Sequence, residues 1–228
     1  MNLHAFASAA EASAALAQAV ATDLAAAIAA RGQAVLAVSG GRSPVPFLQA
    51  LAAQDIPWQQ VTVTLVDERV VAPDHADSNA GLVREHLLQG RAAVAAFLPL
   101  VNDGADAAAE LAAAAVLWRT PDVTVLGMGE DGHTASLFPA ASNLTEGLAA
   151  ANPAALLVVV PPAAPAAPHT RISMTLAELQ RSGKLYLAIA GETKRRVLDN
   201  AAAAVSDTLP ISHLLSATAR PLDVYWSA

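Results

Sequence analysis

The 228-residue chain has no cysteine, few aromatic residues (4%) and few charged residues (14%). The lack of cysteine excludes disulfide bonds and metal sites built on thiolates. Acidic residues outnumber basic ones by 20 to 13, and this net charge of −7 argues against nucleic acid as a partner. Hydrophobic residues make up 54% of the chain, which excludes a disordered protein.

Long, strongly apolar runs are also missing. The N-terminal segment is rich in alanine, but it carries Glu11 and Asp23 and lacks the basic start of a signal peptide. Four apolar residues from Leu16 to Ile28 recur every fourth position, which predicts one buried face of a helix. We therefore expect a cytoplasmic protein with no membrane partner.

The length of the chain predicts a single domain over residues 1–228, because it suffices for one sizeable core and is short for two. Pro161–Pro168 (PPAAPAAP) predicts an extended connector. We do not place a domain boundary there, because the remaining chain is too short to bury a second core. The composition does not indicate an oligomeric state.

Short apolar runs that predict strands alternate with patterns that predict helices. The strands are expected at Ala34–Val38, Val61–Val66, Val123–Leu126, Leu156–Val160 and Leu185–Ala190, with weaker candidates at Ile172–Thr175 and Leu222–Trp226. The helices are expected at roughly Ser8–Ala30, Pro44–Ala53, Asn79–Leu88, Ala105–Trp118 and Thr193–Ala203. Since the strands are apolar on both faces, we predict an α/β fold with a mostly parallel, Rossmann-like sheet flanked by helices.

Ligands of such sheets bind beyond the carboxyl ends of the strands, so the residues after each predicted strand are the candidates for function. Ser39–Pro44 (SGGRSP) follows the first of these strands and opens a helix. Its glycines and the helix N-terminus present backbone N–H groups that can hold an anion, and Arg42 adds a positive charge. On its residues alone, this segment is equally consistent with an ordinary strand-to-helix turn.

Three further strand ends carry charged residues. Asp67 and Glu68 in VDERVV either contact the hydroxyl groups of a ligand or belong to a solvated loop. Arg171 in HTRISMT and Lys194 in GETKRR are either surface charges or ligands of the anion that SGGRSP holds. The pattern does not decide between these alternatives.

Gly127–Pro139 (GMGEDGHTASLFP) is the most informative strand end. It matches the dinucleotide fingerprint G-x-G-x-x-G, but Glu130 and Asp131 would repel a pyrophosphate, and we reject that interpretation. His133 follows the acidic pair in a glycine turn, where an imidazole can be oriented and exposed to a substrate, although a lone histidine is commonly a plain surface residue. Asp131 and His133 are too few ligands for a metal ion, so we predict neither a metal nor a cofactor.

Taken in order, SGGRSP, LVDERVV with Ser78 and Asn79 after it, GMGEDGHTASLFP, RISMT and GETK resemble the 6-phosphogluconolactonase family. The resemblance implies hydrolysis of a sugar-phosphate lactone, 6-phospho-D-glucono-1,5-lactone, to 6-phosphogluconate in the pentose phosphate pathway. His133 would be the general base that activates water, Asp131 would orient it, and Gly129–Gly132 would supply backbone donors to the oxyanion. The implied substrate-binding residues are Gly40, Gly41, Arg42, Ser43, Asp67, Asn79, Arg171 and Lys194.

Two alternatives to this function remain. Sugar-phosphate isomerase-deaminases, such as glucosamine-6-phosphate deaminase, share the implied fold, but their histidine loop carries a glutamate five residues after the histidine. Phe138 stands at that position here, which argues against a deaminase. A non-catalytic sugar-phosphate sensor would usually lose the base and keep the anion-binding segment, whereas this chain has both.

Overall fold

The computed structural model describes residues 1–162, 168–217 and 221–228, and within these ranges it contains two β-sheets flanked by helices. The strands are β1 (Asn2–Phe6), β2 (Ala34–Val38), β3 (Val61–Leu65), β4 (Asp67–Arg69), β5 (Ala96–Phe97), β6 (Val123–Leu126), β7 (Leu156–Val159), β8 (Arg171–Met174), β9 (Lys184–Ala190) and β10 (Asp223–Ser227). The helices are α1 (Ala9–Arg31), α2 (Val45–Ala52), α3 (Asn79–His86), α4 (Ala107–Leu117), α5 (Leu144–Gly147), α6 (Leu176–Arg181), α7 (Glu192–Ala203) and α8 (Ile211–Ala217). Residues 163–167, which form most of the predicted connector Pro161–Pro168, lie outside the described ranges.

The larger sheet is parallel throughout, with the strand order β1-β10-β9-β6-β2-β3-β5. The prediction of a parallel sheet flanked by helices is confirmed. The chain runs from β2 outward through β3 to β5 and then returns to β6 on the other side of β2. The order therefore reverses between β2 and β6, and such a switch point leaves a crevice at the carboxyl ends of the two strands.

The smaller sheet is antiparallel, with the order β4-β8-β7. The alternating sequence pattern did not predict that β7 and β8 leave the parallel sheet, or that Asp67–Arg69 forms a strand. Val66 connects the two sheets, because its N–H donates to the carbonyl of Val38 (3.0 Å) and its own carbonyl accepts from the N–H of Met174 (2.9 Å). The end of β3 is thereby fixed relative to β8.

Helix α1 packs on the parallel sheet. Ser8 caps its start by accepting the N–H of Glu11 (3.2 Å), and Gly32 ends it with a left-handed φ of 78°. By length and composition alone α1 is apolar enough to cross a membrane, but the apolar side chains of its predicted face, such as Leu16 and Leu24, are almost fully buried in the core. We therefore interpret α1 as a core helix.

The sequence patterns missed the shorter and more exposed elements. Strand β1 lies at an edge and pairs only with β10 within the described residues. It alternates polar residues such as Asn2 and His4 with apolar ones, and all of them except the half-buried Phe6 are exposed. Helices α5, α6 and α8 are too short to show a helical period clearly. These elements extend the covering of the sheets without changing the position of the switch point.

Candidate active site

A cleft of about 450 Å³ opens at the carboxyl ends of β2, β6, β9 and β10. Across its floor the hydroxyl of Ser39, after β2, accepts the N–H of Gly127, after β6 (3.0 Å), so the cleft lies at the switch point. Its lining includes one carboxylate, one imidazole and two cationic side chains. These are Asp67, His133, Arg69 and Lys194.

The Ser39–Pro44 loop forms one end of the cleft. Gly40, Gly41 and Ser43 line it, and Gly41 has a left-handed φ of 89°, which glycine adopts without strain. A side chain at position 40 would overlap the side chain of Asn79, so this position requires glycine as well. Arg42 is exposed and does not line the cleft.

The two cations at the cleft come from different elements. Lys194 lies in the first turn of α7, directly after β9. Arg69 lies at the end of β4 and donates a hydrogen bond to the carbonyl of Asp77. Arg69 was not among the predicted site residues. In a strand, the period of two places the side chains of Asp67 and Arg69 on the same face, so a strand at DER would have indicated it.

Arg171 lies behind the cleft wall and does not line it. Its side chain is buried at 4% exposure, and its guanidinium carbon lies 6.0 Å from the centre of the Phe138 ring. Burial and the charge of Arg69, the residue opposite it on β4, lower the pKa of Arg171. Of the three predicted cationic ligands, the structure therefore brings Lys194 to the cleft wall and leaves Arg42 and Arg171 away from it.

His133 and Asp131 form a hydrogen-bonded pair at the cleft. The Nδ1 atom of His133 lies 2.5 Å from Oδ1 of Asp131, and the same oxygen accepts the backbone N–H of His133 (3.2 Å). Burial raises the pKa of Asp131, but the hydrogen bonds and charge of His133 outweigh it and hold the pKa of this carboxyl below its ordinary value. The carboxylate therefore stays charged and orients the imidazole.

Two glycines fix the loop that carries this pair. A side chain on Gly129 would overlap both the imidazole and the carboxylate, and Gly132 has a left-handed φ of 74°. The N–H of Gly129 donates to the carbonyl of His133 (2.9 Å), and the N–H of Gly132 donates to the carbonyl of Gly129 (3.1 Å). The N–H groups of Gly129 and Gly132 are therefore used inside the loop and do not serve an oxyanion, whereas the same role for the N–H groups of Glu130 and Asp131 stays a prediction.

The other side of the histidine loop is tied to the small sheet. The hydroxyl of Ser136 donates to Oδ2 of Asp67 (2.5 Å), and its N–H donates to the hydroxyl of Ser173 on β8 (3.0 Å). The side chain of Asn79 donates to the carbonyl of Asp67 (2.9 Å). Asp67 and Asn79 both line the cleft, as predicted, whereas Ser136, which links Asp67 to the histidine loop, was not predicted.

Glu68 faces away from the cleft. The residue is 1% exposed, and its carboxylate accepts the N–H of Arg69 on β4 (2.7 Å). It also accepts the N–H groups of Asn79 (2.9 Å) and Ala80 (2.7 Å) at the start of α3. Burial raises the pKa of Glu68, although these hydrogen bonds oppose the rise. Glu68 therefore holds β4 to α3, and neither a solvated loop nor a hydroxyl-binding role describes it.

Comparison with known proteins places this geometry in a family. A family model described as glucosamine-6-phosphate isomerases/6-phosphogluconolactonase matches residues 7–226. A 6-phosphogluconolactonase of Pseudomonas putida is 48% identical over 230 residues, which cover 99% of this chain and 93% of that protein. A 6-phosphogluconolactonase of Neisseria meningitidis serogroup A is 46% identical over 219 residues, with 93% of both chains covered.

Solved structures show the same architecture. A 6-phosphogluconolactonase from Shewanella baltica superposes with a TM-score of 0.94 at 38% identity and covers 100% of this chain and 98% of its own. A monomeric glucosamine-6-phosphate deaminase superposes with a TM-score of 0.79 at 17% identity, covering 100% and 97% of the two chains. The second likeness concerns the fold alone.

Proposed function

The chain belongs to the family of glucosamine-6-phosphate isomerases and 6-phosphogluconolactonases, and on that basis we propose that it hydrolyses 6-phospho-D-glucono-1,5-lactone to 6-phosphogluconate, with His133 as the general base. The observation that carries the mechanism is the His133–Asp131 pair, held by glycines in a cleft that also contains an anion-binding loop and two cations. A cleft of this kind can hold the phosphate of the sugar at one end and its carbonyl at the other.

The phosphate binds at the Ser39–Pro44 loop. Backbone N–H groups of this loop supply hydrogen bonds, and Lys194 and Arg69 supply positive charge on a chain whose net charge is −7. Each hydrogen bond to a charged group contributes roughly 1.5–3 kcal/mol. A few such bonds fix the position of a small sugar phosphate and leave the chemical step to other residues.

The proton transfer follows from the hydrogen bond between Asp131 and His133. We assign the proton to Nδ1 of His133, because the Asp131 carboxylate accepts it there, and Nε2 then has a free lone pair. Nε2 takes a proton from water as the water oxygen bonds to the lactone carbonyl carbon. The resulting imidazolium returns this proton to the ring oxygen as the bond between carbonyl carbon and ring oxygen breaks.

Asp131 stabilises the imidazolium between these two steps. Because its pKa is held below the ordinary value, the carboxylate is charged at neutral pH and lies in contact with the developing positive charge. General acid–base catalysis of this kind contributes on the order of 10²–10⁴-fold to a rate. A lactone is an activated ester, so this contribution suffices without a covalent nucleophile.

The deaminase alternative is disfavoured by Phe138. Its ring centre lies 4.5 Å from that of His133, so an apolar ring packs on the imidazole at the position where the deaminase loop carries a glutamate. A phenyl ring transfers no proton. The sensor alternative is disfavoured because the His133–Asp131 pair remains assembled at the cleft.

The experiment generates the lactone in place with glucose-6-phosphate dehydrogenase and follows the formation of 6-phosphogluconate with and without this protein. We expect 6-phosphogluconate to form faster than by spontaneous hydrolysis. A second reaction mixture contains glucosamine 6-phosphate, from which a deaminase would release ammonia. An unchanged lactone rate together with ammonia release would replace the proposed function by the deaminase, and an unchanged rate without ammonia would favour the sensor.

A further inference from the structure

A cluster of potential metal ligands lies outside the cleft. His75 and Asp77 lie in the segment between β4 and α3, and His169 lies two residues before β8. None of the three lines the cleft. We propose that His75, Asp77 and His169 form a binding site for a divalent transition-metal ion, with zinc as the representative ion.

The distances within this cluster are close to those of a metal site. Nε2 of His169 lies 2.9 Å from Oδ2 of Asp77, Nδ1 of His75 lies 3.9 Å from the same oxygen, and the three ligand atoms lie within 4.8 Å of one another. Zinc binds nitrogen and oxygen at about 2.0–2.1 Å, so two ligand atoms on one tetrahedral ion lie roughly 3.3 Å apart. Nδ1 of His75 accepts the backbone N–H of Asp77 (3.0 Å), so a rotation that releases this hydrogen bond is needed to bring all three atoms onto one ion.

The backbone around the cluster is held in place before any ion binds. The N–H of Val70 donates to the carbonyl of Thr170 (2.8 Å), which extends the pairing of β4 with β8 to the residue that follows His169. On the other side, the N–H of His75 donates to the carbonyl of Ala72 (2.9 Å), which closes a turn. The ligands thus come from two segments whose separation the sheet already fixes.

The ligand types select the class of ion. Two imidazoles and one carboxylate suit zinc, cobalt or nickel, whereas magnesium and calcium prefer oxygen ligands alone. The imidazole rings of His75 and His169 meet edge to face, with centres 5.2 Å apart, and both remain accessible to an ion from solvent. Three protein ligands leave the fourth position of a tetrahedral ion to water.

The site would be connected to the cleft through one residue. The carbonyl of Asp77 accepts the hydrogen bond of Arg69, and the Arg69 side chain lines the cleft. An ion on the Asp77 carboxylate would immobilise the residue that holds Arg69. The site would therefore act on the position of a cleft cation and not on the reacting atoms.

The test measures zinc binding to the full-length chain by isothermal titration calorimetry, after chelation and removal of the chelator. We expect one strongly bound zinc ion per chain, and at least a roughly 10-fold loss of affinity in His169→Gln and in Asp77→Asn. The matched control is His213→Gln, because Nε2 of His213 pairs with Asp207 at 2.8 Å and the two belong to no group of three ligands among the described residues. This control should bind zinc as the wild type does.

Cobalt provides a second readout. The visible absorption of bound Co²⁺ should be present in the wild type and in His213→Gln and lost in His169→Gln, while thermal unfolding without metal shows that every variant is folded. Absence of zinc binding to the wild type would overturn the proposal. Zinc binding that persists in both ligand variants and is lost in His133→Gln would also overturn it, because the ion would then lie on the active-site pair.

Discussion

At the residue scale, the Asp131–His133 hydrogen bond gives the two ring nitrogens of His133 different roles. The carboxylate fixes the orientation of the ring through Nδ1, and in the proposed mechanism Nε2 accepts the proton of the attacking water. In the proposed function, substrate binding depends on other residues that line the cleft, in the Ser39–Pro44 loop and at Arg69 and Lys194. Substitutions in the two groups should therefore affect different kinetic constants.

The first prediction concerns the base. We expect His133→Ala to lower kcat by about 10²–10⁴-fold with little change in KM, because the variant loses proton transfer and keeps the phosphate-binding residues. Steady-state kinetics on the lactone measure both constants, with His213→Ala, a histidine outside the cleft, as the control. A His133→Ala enzyme with more than half of the wild-type kcat would contradict the assignment.

The second prediction concerns the phosphate. We expect Lys194→Ala to raise KM by about 10- to 150-fold at nearly constant kcat, because the loss of one charged partner costs roughly 1.5–3 kcal/mol of binding free energy. Inorganic phosphate should compete with the substrate less well in this variant. Arg196→Ala is the matched control, since Arg196 is an exposed cation on the same helix.

Wild-type substrate affinity in Lys194→Ala would show that the phosphate lies elsewhere and that the sugar is reversed in the cleft. Arg69→Ala is expected to raise KM in the same direction. Neither Arg42 nor Arg171 lines the cleft, and the roles that the family resemblance implies for them stay predictions.

At the element scale, the start of α4 is stabilised by a buried carboxylate. Glu110 is 5% exposed and accepts hydrogen bonds of 2.7–3.0 Å from the N–H groups of Asn102, Asp103 and Gly104 and from the Asn102 side chain. Burial raises the pKa of Glu110, but these bonds outweigh burial and lower it from 4.5 to about 2. A shift of this size corresponds to roughly 3 kcal/mol of folding free energy at neutral pH.

The third prediction follows from the sign of this shift. Because the folded pKa of Glu110 is below the unfolded one, its contribution is complete above pH 4.5 and is lost as the pH falls toward about 2. We expect Glu110→Gln to lower the free energy of unfolding by about 1–3 kcal/mol at neutral pH, with a smaller difference from wild type in acid. Urea unfolding over a pH series measures this difference.

The control for Glu110 is Glu146→Gln, which removes an exposed carboxylate from α5. Its unfolding free energy should stay close to that of the wild type. An effect of Glu110→Gln that is no larger than that of Glu146→Gln, or one that does not change with pH, would show that the hydrogen-bonded carboxylate does not stabilise this segment.

The parallel sheet could be predicted from the sequence because its strands carry their own signal. Ala34–Val38 and Val123–Leu126 are short apolar runs, and the structure gives them the predicted bounds. In the small sheet, β7 and β8 were predicted as strands, but their separation from the parallel sheet and strand β4 were not, because β4 has the sequence DER and its charges suggest exposure. What makes it a strand is pairing with β8, about a hundred residues later, and no local pattern contains that information.

The candidate active site, like the fold, could be predicted from the sequence only in part. Residues fixed by a loop's own sequence, such as Gly40, Asp131 and His133, are at the cleft or hold a residue there. Arg69 was missed and Arg171 was expected at the wall, because both belong to the small sheet, whose register decides which side chains face the cleft. Long-range pairing, rather than residue type, determined these two positions.

At the scale of the whole molecule, the proposed chemistry and the proposed metal site are separate. Among the residues that the structure describes, the group of three potential metal ligands is His75, Asp77 and His169, and it does not include His133.

The fourth prediction is that the enzyme keeps its kcat after exhaustive dialysis against EDTA. Loss of kcat that added zinc restores would contradict a mechanism in which His133 alone activates water.

The position of Val66, hydrogen-bonded to both β2 and the end of β8, also limits how this chain can change in evolution. Inserting or deleting one residue between β3 and Arg69 would turn every later side chain of β4 to the opposite face of the sheet. Asp67 and Arg69 would turn into the core, and the buried carboxylate of Glu68 would enter the cleft. The length of this segment is therefore as important for the cleft as the identity of its three charged residues.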